Sequence, residues 1–205
     1  MNKSLVGLLI LVSVSAFGQI EISNKIFRKV PYSSQYSEDG SLIRSVDFKA
    51  VNTLIPILEN KYKALLNGQK LTDRNEAHIT VITPPEGKTG FFPGSIGVDQ
   101  VLTNEAMISK YKPTLQSTRF NVKCIGKQSN SDGNIVFFLV VESQEILNIR
   151  YEIHEIILDS GRQDIPFYPT KNYYPHITIG YVGGDVHGVS KGIENCIEDI
   201  IIVTK

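Results

Sequence analysis

The 205-residue chain has no surplus of charge of either sign, with 21 Lys and Arg against 21 Asp and Glu. A general nucleic-acid binder shows a basic excess, so that class is set aside. A short or cyclic nucleotide, which needs only a local basic patch, is not. Cysteine is scarce: Cys124 and Cys196 are the only two. Neither belongs to a C-x-x-C, which removes thiolate zinc sites and dithiol redox motifs. In an exported chain the pair could form one disulfide. Both lie in strand-like stretches whose Cα separation the sequence does not give, and two separate buried thiols are the preferred reading. No H-x-x-x-H occurs and no carboxylate cluster accompanies a His, so the usual ligand spacing of a zinc hydrolase is missing. Past the N-terminus no apolar run approaches the ~20 residues of a membrane-spanning helix. What is present is an ordinary globular composition, 41% apolar.

Residues 1–18 read as a secretory signal peptide. Lys3 gives the positive start, Leu5 to Val14 is a nearly unbroken apolar run, and Ala16-Phe17-Gly18 is a small-x-small cleavage site ahead of Gln19. The run is too short to span a bilayer comfortably, and no Cys follows the site to suggest a lipoprotein. A secreted or periplasmic protein without a membrane anchor is expected, with residues 19–205 forming one domain.

Along the mature chain, residues 20–30 alternate weakly, as a strand or an extended arm. Residues 31–44, rich in Ser, Tyr and acidic groups, read as loop. Apolar Val51, Leu54, Ile55, Leu58, Tyr62 and Leu65 predict a helix over 47–66, begun or kinked at Pro56. A strand follows at 77–83, stopped by Pro84-Pro85. A glycine-rich loop at 87–97 carries Phe91 and Phe92, as a lid or as an anchor of the loop, and leads to a helix at 99–111. Strands at 120–127 and 135–141 flank the turn Ser129-Asn130-Ser131-Asp132-Gly133. A helix capped by Ser143 runs to Leu158, a strand covers 175–182, and a last strand covers 197–203.

One short pattern occurs twice. His78-Ile79-Thr80-Val81 lies on the first of the two middle strands, and His176-Ile177-Thr178-Ile179 on the second. Side chains at i and i+2 of a strand share a face. Each copy therefore sets an imidazole beside a hydroxyl and turns Ile79, Val81, Ile177 and Ile179 to a core. Two such strands across a cleft offer one substrate two imidazoles and two hydroxyls. That set suits phosphodiester chemistry, one His taking a proton from the nucleophile and the other protonating the leaving oxygen.

The doubled motif, with Tyr173-Tyr174-Pro175 ahead of the second copy and Thr83-Pro84-Pro85-Glu86 after the first, resembles the H-x-T-x signature of the 2H phosphoesterases. That superfamily includes 2′,5′-RNA ligase-like proteins and cyclic phosphodiesterases. The resemblance spans roughly residues 45–205, and only the motifs match sharply. It implies an α+β fold of two pseudo-symmetric lobes, antiparallel sheets facing across a central cleft with helices outside. It implies a metal-independent phosphodiesterase without cofactor, acting on a cyclic or 2′-5′ nucleotide or RNA-type phosphodiester. His78 and His176 are the expected catalytic pair, and Thr80 and Thr178 the phosphate-binding hydroxyls. Which His is base and which is acid stays open.

Other residues carry weaker expectations. Tyr173, Tyr174 and Tyr181 flank the second motif and could stack on a base, Tyr173 and Tyr181 being the favoured pair. Lys171 and Arg162, in the loop before that strand, could meet a phosphate or simply be solvated. His154 and His187 have no motif and read as structural or surface residues. The expected partner is a small nucleotide or a short RNA phosphodiester, met by a monomer. Two other classes stand beside this one: a non-catalytic nucleotide-binding module, and a metallohydrolase ligated by His78, His176 and a third group. Activity that persists in a chelator separates the first reading from both.

Overall fold

The computed structural model describes residues 19–33, 39–88, 94 and 96–204. The expected signal peptide and the Phe91-Phe92 loop lie outside them. Seven strands and five α-helices are formed among these residues. Strand β1 (Ile20–Ser23) is followed by β2 (Leu42–Val46), helices α1 (Phe48–Asn52) and α2 (Leu54–Lys61), and strand β3 (Ala77–Ile82). Then come α3 (Pro84–Gly87), α4 (Asn104–Leu115), β4 (Asn121–Ser129), β5 (Ile135–Glu142), α5 (Gln144–Asp159), β6 (His176–Val182) and β7 (Cys196–Val203).

The architecture is α+β. A five-stranded sheet has the order β1-β7-β4-β5-β6, antiparallel except for the parallel pair β1 and β7. A second sheet is the antiparallel pair β2 and β3. The two sheets are unequal in size, and the strands that carry the motifs, β3 and β6, lie alongside each other. One apolar cluster joins both sheets, with Ile79 and Val81 from β3 meeting Phe137, Leu139, Ile177 and Ile179 of the larger sheet.

The helices follow local rules. Asp47 caps α1 by accepting from the Ala50 N–H. The helix predicted over 47–66, begun or kinked at Pro56, is two helices that break at Thr53, between α1 and α2. Pro56 lacks the N–H that would donate to the carbonyl of Asn52, so the break falls one turn ahead of it. In α5, Ser143 accepts from the Ile146 N–H, and Ile146, Ile149, Ile153 and Ile157 form the buried stripe. The helix expected at 99–111 is instead a 3-10 turn at 98–100 followed by α4, which starts after the capping Thr103.

Two expectations are corrected. Leu42–Val46, its first three residues read as loop, is the strand that pairs with the first motif strand. All five of its residues are buried, so no alternation of polar and apolar residues marks it. Arg44 sits in the core with its guanidinium over the Phe120 ring. The second correction concerns the cysteines. Cys124 of β4 and Cys196 of β7 form a disulfide, with Cα atoms 5.7 Å apart. The two strands are adjacent in the sheet although far apart in sequence.

Candidate active site

Both motif strands carry the same irregularity. On β3, Thr80 pairs with Ile43 and Ile82 with Leu42, which leaves Val81 as an extra residue. On β6, Thr178 pairs with Phe138 and Gly180 with Phe137, which leaves Ile179 extra. The fourth position of each H-x-T-x is thus a β-bulge, a device that re-aims side chains and unpairs a backbone group. At Val81 the freed carbonyl accepts from Arg150 Nη1.

His78, Thr80, His176 and Thr178 all line one cavity of about 790 Å3. Both pairs expected to share a face do so, and the two faces meet in one space. His78 is buried, with Nδ1 2.7 Å from Glu76 Oε2 and Nε2 3.1 Å from Thr80 Oγ1. His176 Nδ1 lies 2.7 Å from the carbonyl oxygen of Tyr174. That acceptor requires a proton on Nδ1 and, in the neutral ring, puts the lone pair on Nε2. Both rings take their Nδ1 partner from the residue two positions upstream. It is a carboxylate in the first motif and a backbone carbonyl in the second.

The Nε2 of His176 lies 3.2 Å from Lys191 Nζ. Lys191 is buried in the cavity wall, 3.7 Å from Asp185 Oδ1. Asp185 also pairs with Arg74 and stands 3.8 Å from His187 Nε2. Burial, then the charges of Lys191, His78 and Arg74, push His176 down to about 3, against a smaller opposing effect of the Tyr174 carbonyl. Burial, followed by Arg74, pushes Lys191 down to about 8. Phe138 meets the His176 ring edge-on at 5.8 Å, and Gly126 opposite leaves the room its ring fills.

A buried cation ties the first motif strand to the loop that enters the second. Arg150 of α5 is fully buried and donates to the carbonyls of Val81, Tyr168 and Pro169 and to the carboxylate of Glu86. Its guanidinium lies 3.9 Å from the centre of the Tyr173 ring and 4.6 Å from that of Phe167. The Tyr173 hydroxyl donates to the Thr80 carbonyl at 3.0 Å. Thr83 and Glu86 close a capping box on α3, so the carboxylate that meets Arg150 is itself held.

The other expected residues are placed as follows. Tyr173 lines the cavity but gives one ring face to Arg150. Tyr181 packs against the apolar group around Cys124 and Val136 and is not among the cavity-lining residues. Tyr174, the third flanking tyrosine, lines the cavity beside Tyr173. Lys171 lies over the Tyr168 ring and Arg162 pairs with Asp164, both away from the cavity. The cations at the cavity are Arg74 and Lys191, which sequence reasoning passed over. His187, read as structural or surface, stands at the cavity wall, and His154 packs near Phe167. Among the described residues no group of three His, Cys, Asp or Glu side chains is placed to hold a metal ion.

Two opposed strands, each showing a His and a Thr to one cavity, define a phosphoester-handling site of the two-histidine kind. The chain matches the family described as Swiss Army Knife, 2H phosphoesterase domain, over residues 45–187, and so belongs to the 2H phosphoesterases. No curated protein and no solved structure matches it.

Proposed function

We propose that the protein is a metal-independent phosphodiesterase that hydrolyses a cyclic or 2′-5′ nucleotide-type phosphodiester by two-histidine acid–base catalysis. The observation that carries this reading is the convergence of His78, Thr80, His176 and Thr178 on one cavity. The different partners of the two rings support a division of labour. The Tyr174 carbonyl fixes the Nδ1 proton of His176 and leaves Nε2 as the accepting nitrogen, which fits the base. His78 has a carboxylate at Nδ1, which can pair with an imidazolium and fits the acid. Water attacks phosphorus and gives a proton to His176 Nε2. The P–O bond to the leaving group breaks, and His78 Nε2 delivers a proton to the departing oxygen. Thr80 and Thr178 donate to the non-bridging oxygens as charge builds on them.

We further propose that the protein is exported and acts as a monomer on a small nucleotide or a short RNA end. The pattern of residues 1–18 supports export, and the Cys124–Cys196 disulfide suits an oxidising compartment. The test is a panel of 2′,3′-cyclic nucleotides, 2′-5′ dinucleotides and cyclic dinucleotides incubated with the protein in a chelator and followed by phosphorus NMR. Turnover is expected, and His78→Ala and His176→Ala should each lower it by about 100-fold or more. Activity that needs a metal, or that survives either substitution, overturns the reading.

A further inference from the structure

We infer that Lys191 is a third working group of the cavity, binding the phosphate of the substrate and holding His176 in its neutral, accepting form. This rests on the two-histidine reading above. A lysine ammonium has three N–H donors and no acceptor. One is directed at His176 Nε2, 3.2 Å away, and the charge faces Asp185 at 3.7 Å. That leaves donor capacity at a point where the residue lines the same cavity as the four motif side chains.

The position is unusual for a lysine. It is only 4% exposed, and such burial normally demands compensation. Asp185 supplies part of it, but Asp185 also pairs with Arg74. Two cations and one carboxylate leave this corner of the cavity one positive charge in excess, and a phosphodiester carries one negative charge. The groups that face Lys191 are Asp185 and His187 after β6, Arg74 ahead of β3, and His176 on β6. Burial is the larger cause that keeps His176 neutral, and the ammonium 3.2 Å from Nε2 adds to it by opposing protonation there. Substrate anion and neutral imidazole thus meet at one side chain.

The experiment uses the whole protein, labelled with nitrogen-15, and needs no turnover. Histidine ring signals are followed against pH, and inorganic phosphate is titrated into the same samples. In Lys191→Met, His176 should titrate about one unit higher than in the parent. Phosphate binding should weaken about 10-fold or more. Lys191→Arg keeps the charge and should restore phosphate affinity to within about 3-fold and keep His176 depressed. Dispersed amide spectra confirm that both variants fold. An unmoved His176 titration, or unchanged phosphate affinity in Lys191→Met, overturns the inference. If no phosphodiester is hydrolysed by the parent, the hydrolase reading fails on its own while these two measurements still judge Lys191.

Discussion

Replacing Arg150 by Met should cost the fold about 3–5 kcal/mol, the large end of what a single substitution costs, as expected where several buried polar groups lose their partner. The structure supplies the components. Three backbone carbonyls, of Val81, Tyr168 and Pro169, lose their charged donor. The apolar burial of Met offsets part of this loss, and the two ring contacts are lost as well. Glu86 keeps the Thr83 N–H and is partly exposed, so it can rehydrate and its share of the loss is small. The assay is urea unfolding at pH 7, followed by circular dichroism. Because Arg150 bonds both β3 and the loop that enters β6, turnover should also fall at urea concentrations well below the unfolding midpoint. A stability loss under about 1 kcal/mol would refute the argument that this side chain ties the first motif strand to that loop.

Thr80→Val and Thr178→Val should each lower turnover by about 10- to 1000-fold while leaving the fold intact; a loss confined to KM would show that the hydroxyls bind only the ground state. Breaking the disulfide by Cys124→Ala with Cys196→Ala should cost about 4 kcal/mol in urea, given the separation of 72 residues, and equal midpoints with and without the bridge would contradict it. Activity in a chelator should fall toward acid well below pH 6.5, because His176 stays neutral to about 3 in the free protein; an acid limb at the ordinary histidine value speaks against His176 as the depressed base. The same shift bears on stability. The unfolded chain binds the His176 proton near 6.5 and the folded one only near 3, so this group removes stability as pH falls from about 6.5 toward 3. His176→Gln should flatten urea midpoints between pH 7 and 4 relative to the parent.

The motif strands were legible because their information is local. His78, Thr80, His176 and Thr178 state their face by spacing alone, and β6 and α5 fall within one residue of where the pattern puts them. β2 was not legible, since Arg44 and Ser45 read as polar while both are buried between α4, β3 and the Ser33 backbone. The capping box on α3 is written in the sequence as Thr83-Pro84-Pro85-Glu86, where the prolines that stop the strand also open the helix. Lys191 and Arg74 sit on loops that no period describes. Their neighbours are chosen by the fold, which brings both onto Asp185. The disulfide is of the same kind, since β4 and β7 are neighbours in the sheet although β5 and β6 lie between them in sequence.

The bulges at Val81 and Ile179 also set a depth. Unbroken alternation would continue the polar face one rung further on each strand. The extra residue ends it, and Ile82 is buried in the core. Each strand therefore presents two rungs, about 7 Å of wall at ~3.4 Å per residue. That height spans a single phosphate and little more. The strands can grip the reacting group but cannot read the sugar, the base or a second phosphate. Discrimination among phosphoesters has to be written in the loops around the cavity, where Tyr174, Asp185 and His187 stand. Exchanging those segments should redirect the protein among substrates while the two rungs continue the same chemistry.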